Sequence, residues 1–119
     1  MTDGYPALAQ LTETIEGRKQ AAADSSYTSS LLQKGMKAIG AKVMEEAREF
    51  VTAAHELEPP ADARDETLRQ HLVHEAADLL YHSMVMLAHY DLSLTDVEAE
   101  LQRRFGASGF EEKASRNNS

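Results

Sequence analysis

The sequence predicts an all-α fold of about five helices, and three observations carry that prediction. Apolar residues recur at three- and four-residue spacing through most of the 119-residue chain. No alternating run is long enough to make a convincing strand, and no internal repeat is present. The three prolines sit in the first turn of a periodic segment (Pro6) or in the break between two (Pro59 and Pro60). The length suits a single core, so residues 1–107 are assigned to one domain and residues 108–119 to a polar tail.

The first helix is expected from Pro6 to the Gly17–Ala22 region, with Leu8, Leu11 and Ile15 on one stripe. Ser25 or Ser26 is placed to cap a short second helix through Leu31 and Leu32 that stops at Gly35. The third helix should span Met36 to His55, with Ile39, Val43, Ala47, Phe50 and Ala54 as its apolar face. On a helical wheel Glu46 borders that face, Glu49 lies beside it, and Glu45 points further outward. Leu57 to Ala63 is the clearest break in the chain.

The fourth helix, from about Asp65 to Tyr90, is apolar round most of its circumference, with a narrow polar strip of His71, Glu75, Asp78, His82 and His89. Such a helix must be buried on nearly every side. A domain of this size cannot do that alone, so a four-helix-type core completed by oligomerisation, in a homodimer or higher homo-oligomer, is expected. Ser93 and Asp96 form a capping arrangement for a fifth helix whose inner stripe would be Leu94, Val97, Leu101 and Phe105.

Composition excludes several functions. With no cysteine there are no disulfides, thiolate metal sites or cysteine nucleophiles. A net charge of −8 argues against nucleic-acid binding, although an acidic cleft loaded with metal ions still attracts a polyphosphate. No signal peptide and no membrane-length apolar run is evident, so a cytoplasmic location is expected.

The chemistry lies in two acidic signatures, Glu45-Glu46-Ala47-Arg48-Glu49 and Glu75-Ala76-Ala77-Asp78. Residues three apart share a helix face, so Glu46 with Glu49, and Glu75 with Asp78, each form a two-carboxylate claw. A like-charge pair costs about 0.2–0.5 kcal/mol on a solvated helix and far more inside a bundle. The first signature alone would also fit a solvated face answered by Lys42 and Arg48. The second stands in an apolar helix, and together the claws describe an oxygen-rich site for Mg2+ or Mn2+. A di-iron bundle is disfavoured because no Glu-x-x-His occurs in these helices.

Glu-Glu-x-x-Glu followed by Glu-x-x-Asp resembles the all-α nucleoside triphosphate pyrophosphohydrolases of the MazG-like superfamily. The words Ser26-Tyr27-Thr28, Lys42-Val43-Met44-Glu45-Glu46-Ala47 and Glu75-Ala76-Ala77-Asp78-Leu79-Leu80-Tyr81-His82 narrow the likeness to the phosphoribosyl-ATP pyrophosphohydrolase family, from about Leu8 to Arg104. Ser108 to Arg116 resembles one branch of it. The resemblance implies Mg2+-dependent hydrolysis of phosphoribosyl-ATP to phosphoribosyl-AMP and pyrophosphate, the second step of histidine biosynthesis.

By the same resemblance Glu46, Glu49, Glu75 and Asp78 are metal ligands, and Glu45 is a supporting ligand or water-orienting acid. Lys42, one turn before Glu46, can reach substrate phosphates, with Arg18 and Lys34 as further candidates. Tyr27 either stacks on the adenine or packs, Thr28 either binds phosphate or caps a helix, and His82 either orients a ligand or is structural. Two other functions fit the pattern: a house-cleaning nucleotide pyrophosphatase of the same fold, and a non-catalytic cation-binding scaffold.

Overall fold

The structure is a computed structural model and describes residues 4–106. Five α-helices are found among these residues, and no strand: α1 Pro6–Arg18, α2 Tyr27–Lys34, α3 Met36–His55, α4 Glu66–His89 and α5 Leu94–Arg104. The tail 108–119 lies outside the described residues, as does Ala107 at the domain's expected end.

Local sequence fixes the helix ends. Pro6 occupies the first turn of α1. Of the two serines, Ser26 caps α2: its side chain accepts from the Ser29 N–H at 3.0 Å. Ser29 is fully buried, and its hydroxyl donates to the Arg18 carbonyl, tying α2 to the end of α1. Gly35 then closes α2 and opens α3 at φ 88°, ψ −168°, a conformation open essentially only to glycine. Asp65 caps α4, and Ser93 with Asp96 forms the expected capping box on α5.

The α3–α4 pair is the backbone of the bundle and has the most extensive interface in it. The two helices run antiparallel: Glu56 meets His71 near the connection, and Glu46 approaches His82 farther along. The dry core is at the far end, where Ile15, Leu31, Ile39, Met84, Val85 and Ala88 pack together. Each fully buried isoleucine or valine there contributes about 1.5–3 kcal/mol.

Two expectations are corrected, one on α3 and one on α5. On α3 the buried small residue is Ala53, seven after Glu46, and Ala54 is exposed, because the inward face follows Ile39 and Glu46. On α4 Glu75 and His82 of the polar strip are buried, in keeping with carboxylates set inside the bundle, while Val73 and Leu80 are exposed in the single chain. On α5 only Leu94 joins the core, whereas Val97, Leu101 and Phe105 are exposed because none of the described residues packs over them. Within that helix Glu100 pairs with Arg103 and Arg104, which pull its carboxyl down to about 2.

Candidate metal and phosphate site

The acids meet at mid-span of the α3–α4 hairpin. One carboxylate oxygen each from Glu46, Glu49 and Glu75 lies within 4.8 Å of the others. Glu46 and Glu75 are each only 6% exposed, and the Oε2 atom of each is buried with no hydrogen-bond partner. Burial first, then the negative charges of Glu49 and Asp78, push the Glu46 carboxyl up. Burial, followed by contact with Glu49, does the same to Glu75. Two acids sunk beside each other, each with an orphaned oxygen, violate the usual rule that buried charge is paired. A hard dication satisfies both, and the all-oxygen donor set fits Mg2+ or Mn2+.

Asp78 sits apart from this trio. It groups with Glu75 and His74, whose ligating atoms lie within 4.8 Å of one another. Glu45 is exposed and bound to Lys42 Nζ at 2.6 Å, which holds its carboxyl below the ordinary value. Lys42 Nζ also lies 4.0 Å from Glu46 Oε1. Glu45, Glu49 and Glu75 line an open cleft of about 320 Å³ together with Arg48, Thr52 and His71.

His82 is buried at the edge of the acids, 3.9 Å from Glu46 Oε1. Its Nδ1–H donates to the Asp78 carbonyl at 3.0 Å, so in the neutral ring Nε2 accepts from the Tyr27 hydroxyl at 2.9 Å. Tyr27 stacks on Tyr81 with ring centroids 6.3 Å apart, and the Tyr81 hydroxyl bonds to Thr28. Tyr27 and Thr28 thus reach the site as a bonded aromatic wall. Arg18 and Lys34 are exposed, and neither side chain joins an ion pair among the described residues.

His71 and His74 were not singled out by their sequence spacing from other histidines. His74 lies 3.2 Å from Asp78 Oδ2, and His71 Nδ1 lies 2.9 Å from Glu56 Oε1. The usable signal was the four-residue step from His74 to Asp78, which places both on one helix face.

The family model for phosphoribosyl-ATP pyrophosphohydrolase matches residues 8–105. The chain belongs to the phosphoribosyl-ATP pyrophosphohydrolase family. Among its relatives, the phosphoribosyl-ATP pyrophosphatase of Paracidovorax citrulli is 51% identical over 113 residues, spanning 92% of this chain and 78% of the relative. The enzyme of that name from Geobacter metallireducens is 46% identical over 116 residues, covering 98% and 97% of the two chains. That of Rhodopirellula baltica is 43% identical over 116 residues, covering 98% and 91%. As a member of the phosphoribosyl-ATP pyrophosphohydrolase family the chain is a hydrolase. The scaffold alternative is set aside. No helix among the described residues is long and apolar enough to cross a membrane.

Proposed function

We propose that the chain hydrolyses phosphoribosyl-ATP at the α–β phosphate linkage, giving phosphoribosyl-AMP and pyrophosphate, with Mg2+ as the working cation. This would be its step in histidine biosynthesis, carried out in the cytoplasm. The names of the relatives support the substrate. The observation that carries the chemistry is the buried Glu46–Glu75 pair with its two orphaned oxygens beside Glu49.

Glu46, Glu49, Glu75 and Asp78 would hold the cation. When bound, it would neutralise charge on the phosphate oxygens and on the departing pyrophosphate. The remaining work falls to side chains around the cleft. Lys42 has an ammonium already beside the acids and exchanges Glu45 for a substrate phosphate oxygen. Released from Lys42, Glu45 returns towards the ordinary carboxylate range and becomes a better acceptor for a proton of the attacking water. Tyr27, backed by Tyr81 and His82, offers a ring face that is half exposed and suited to an adenine. The second subunit expected from the sequence has a surface to cover. Val73 and Leu80 on α4, like Met44 and Val51 on α3, are exposed and seven residues apart. Two copies of this hairpin would form a four-helix core.

The test is pyrophosphate release from phosphoribosyl-ATP, with and without chelator, set against a panel of ordinary and damaged nucleoside triphosphates. Release confined to phosphoribosyl-ATP and abolished by chelator is expected. Equal turnover across the panel would favour the house-cleaning activity instead. Asp78→Asn retaining wild-type turnover at saturating Mg2+ would contradict the ligand assignment.

A further inference from the structure

His82 is 5% exposed and stands between α2, which brings Tyr27, and the stretch of α3 that brings Glu46. Both of its ring nitrogens are taken. Nδ1 is bonded to the Asp78 carbonyl, which can only accept, and Nε2 to the Tyr27 hydroxyl. A neutral imidazole has one donor and one acceptor, so neither is left for a substrate atom. The 3.9 Å separation from Glu46 Oε1 is too long for a hydrogen bond. The ring therefore works through Tyr27.

Tyr27 has need of a support. It opens an eight-residue helix and is 53% exposed. A ring free to rotate there would lose that freedom each time a base stacked on it, and binding would weaken accordingly. Here the hydroxyl is fixed by His82, and the ring packs on Tyr81 with 25° between their planes. The edge-on imidazole of His82 closes the group, 5.8 Å from the Tyr27 ring and 4.9 Å from that of Tyr81. Thr28 bonds the Tyr81 hydroxyl, so consecutive residues of α2 meet consecutive residues of α4. Buried Ser29 ties the same short helix to the Arg18 carbonyl.

We infer that His82 is a positioning residue for nucleobase binding. It holds the Tyr27 ring at a fixed distance from the acids, because its other nitrogen is anchored on the backbone of Asp78. The inference rests on the reading that Tyr27 receives the adenine. Stacking on a pre-set ring is made alike in the ground state and the transition state, so its loss raises KM and spares kcat.

The experiment uses the full chain with Mg2+ and phosphoribosyl-ATP, and two isosteres separate the two bonds of His82. Glutamine carries an acceptor to the Nε2 position, whereas asparagine reaches only the Nδ1 position and leaves the Tyr27 hydroxyl unbonded. His82→Asn is expected to raise KM about fivefold, the worth of one hydrogen bond, with kcat held within about twofold. His82→Gln should recover most of the loss. Tyr27→Phe should match His82→Asn, and the double variant should be no worse than either, since both remove the same bond. Nitrogen-15 resonance of the chelated protein supplies a readout apart from turnover: His82 should carry its proton on Nδ1, and its Nε2 signal should move in Tyr27→Phe. A fall in kcat at constant KM in His82→Asn, or penalties that multiply in the double variant, would overturn the positioning role. Tyr27→Ala with an unchanged KM would remove the adenine reading itself. A raised KM in Tyr27→Ala beside a silent His82→Asn would leave that reading standing and reject the inference alone.

Discussion

Glu46→Gln should move stability in opposite directions depending on the cation. In chelator, Glu46 is a buried carboxylate whose Oε2 has no partner, with Glu49 and Asp78 pushing its pKa up. An unsatisfied buried polar group costs about 1–3 kcal/mol. Glutamine keeps the shape, removes the charge and can donate to the neighbouring carboxylates. A gain of about 1 kcal/mol is expected, which for a domain of this size is about 4 °C in Tm. At saturating Mg2+ the order reverses, because the wild type gains roughly 2.7 kcal/mol when the ion is at a hundredfold its Kd, and the variant forfeits most of that.

Scanning calorimetry in chelator and in Mg2+ reads both arms. The pH dependence supplies an internal check. A carboxyl raised in the folded state costs nothing below its ordinary value of 4.5, where it is neutral folded or unfolded. Its destabilising effect grows as pH rises through the raised value. The gap between the chelated proteins should therefore close near pH 4 and open above it. If the glutamine variant melts below the wild type in chelator at pH 7.5, or if Mg2+ stabilises both equally, the reasoning about a strained acidic pair is refuted.

Further outcomes follow from other parts of the molecule. Gly35→Ala forces a Cβ into φ 88°, ψ −168° and should cost about 1–3 kcal/mol, read as a Tm loss of at least about 4 °C. Tyr27→Phe strips the hydroxyl from His82 Nε2 and should lower Tm by about 4 °C, for a loss on the order of 1 kcal/mol; an unchanged melt would show that the bond adds nothing. If the exposed stripe of α4 forms the proposed subunit interface, Val73→Glu should shift the wild-type oligomer to monomer in sedimentation velocity while leaving far-ultraviolet helicity in place, and an unchanged sedimentation coefficient would refute that interface. Glu75→Gln should abolish pyrophosphate release with the helical spectrum unchanged.

Helix positions were legible because caps and breakers are local. Ser26, Gly35, Asp65 and Ser93 each act within a few residues, and α3 begins and ends where periodicity placed it. The direction each face points was less so. The apolar arc of α4 includes Val73 and Leu80, which are exposed in the single chain, and that of α3 includes Ala54, whose place in the interior is taken by Ala53. A hydrophobic wheel cannot show that, since it assigns the apolar arc to the interior without knowing which neighbour is present. The stripe of α5 fails for the same reason, as among the described residues only Leu94 of that stripe joins the core. The Glu46–Glu75 pairing was accessible because two acidic claws on adjacent helices of an antiparallel hairpin must come into register. The contact between His74 and Asp78 is half legible: the four-residue step puts both on one helix face, and the structure adds the 3.2 Å approach.

All four principal acids come from a single helical hairpin closed by the short connection 56–65. Bringing such near neighbours together costs little chain entropy. Their mutual repulsion is therefore confined to one hairpin and acts across a single helix–helix seam. A dication bound there would brace that seam directly, whatever the outer helices contribute.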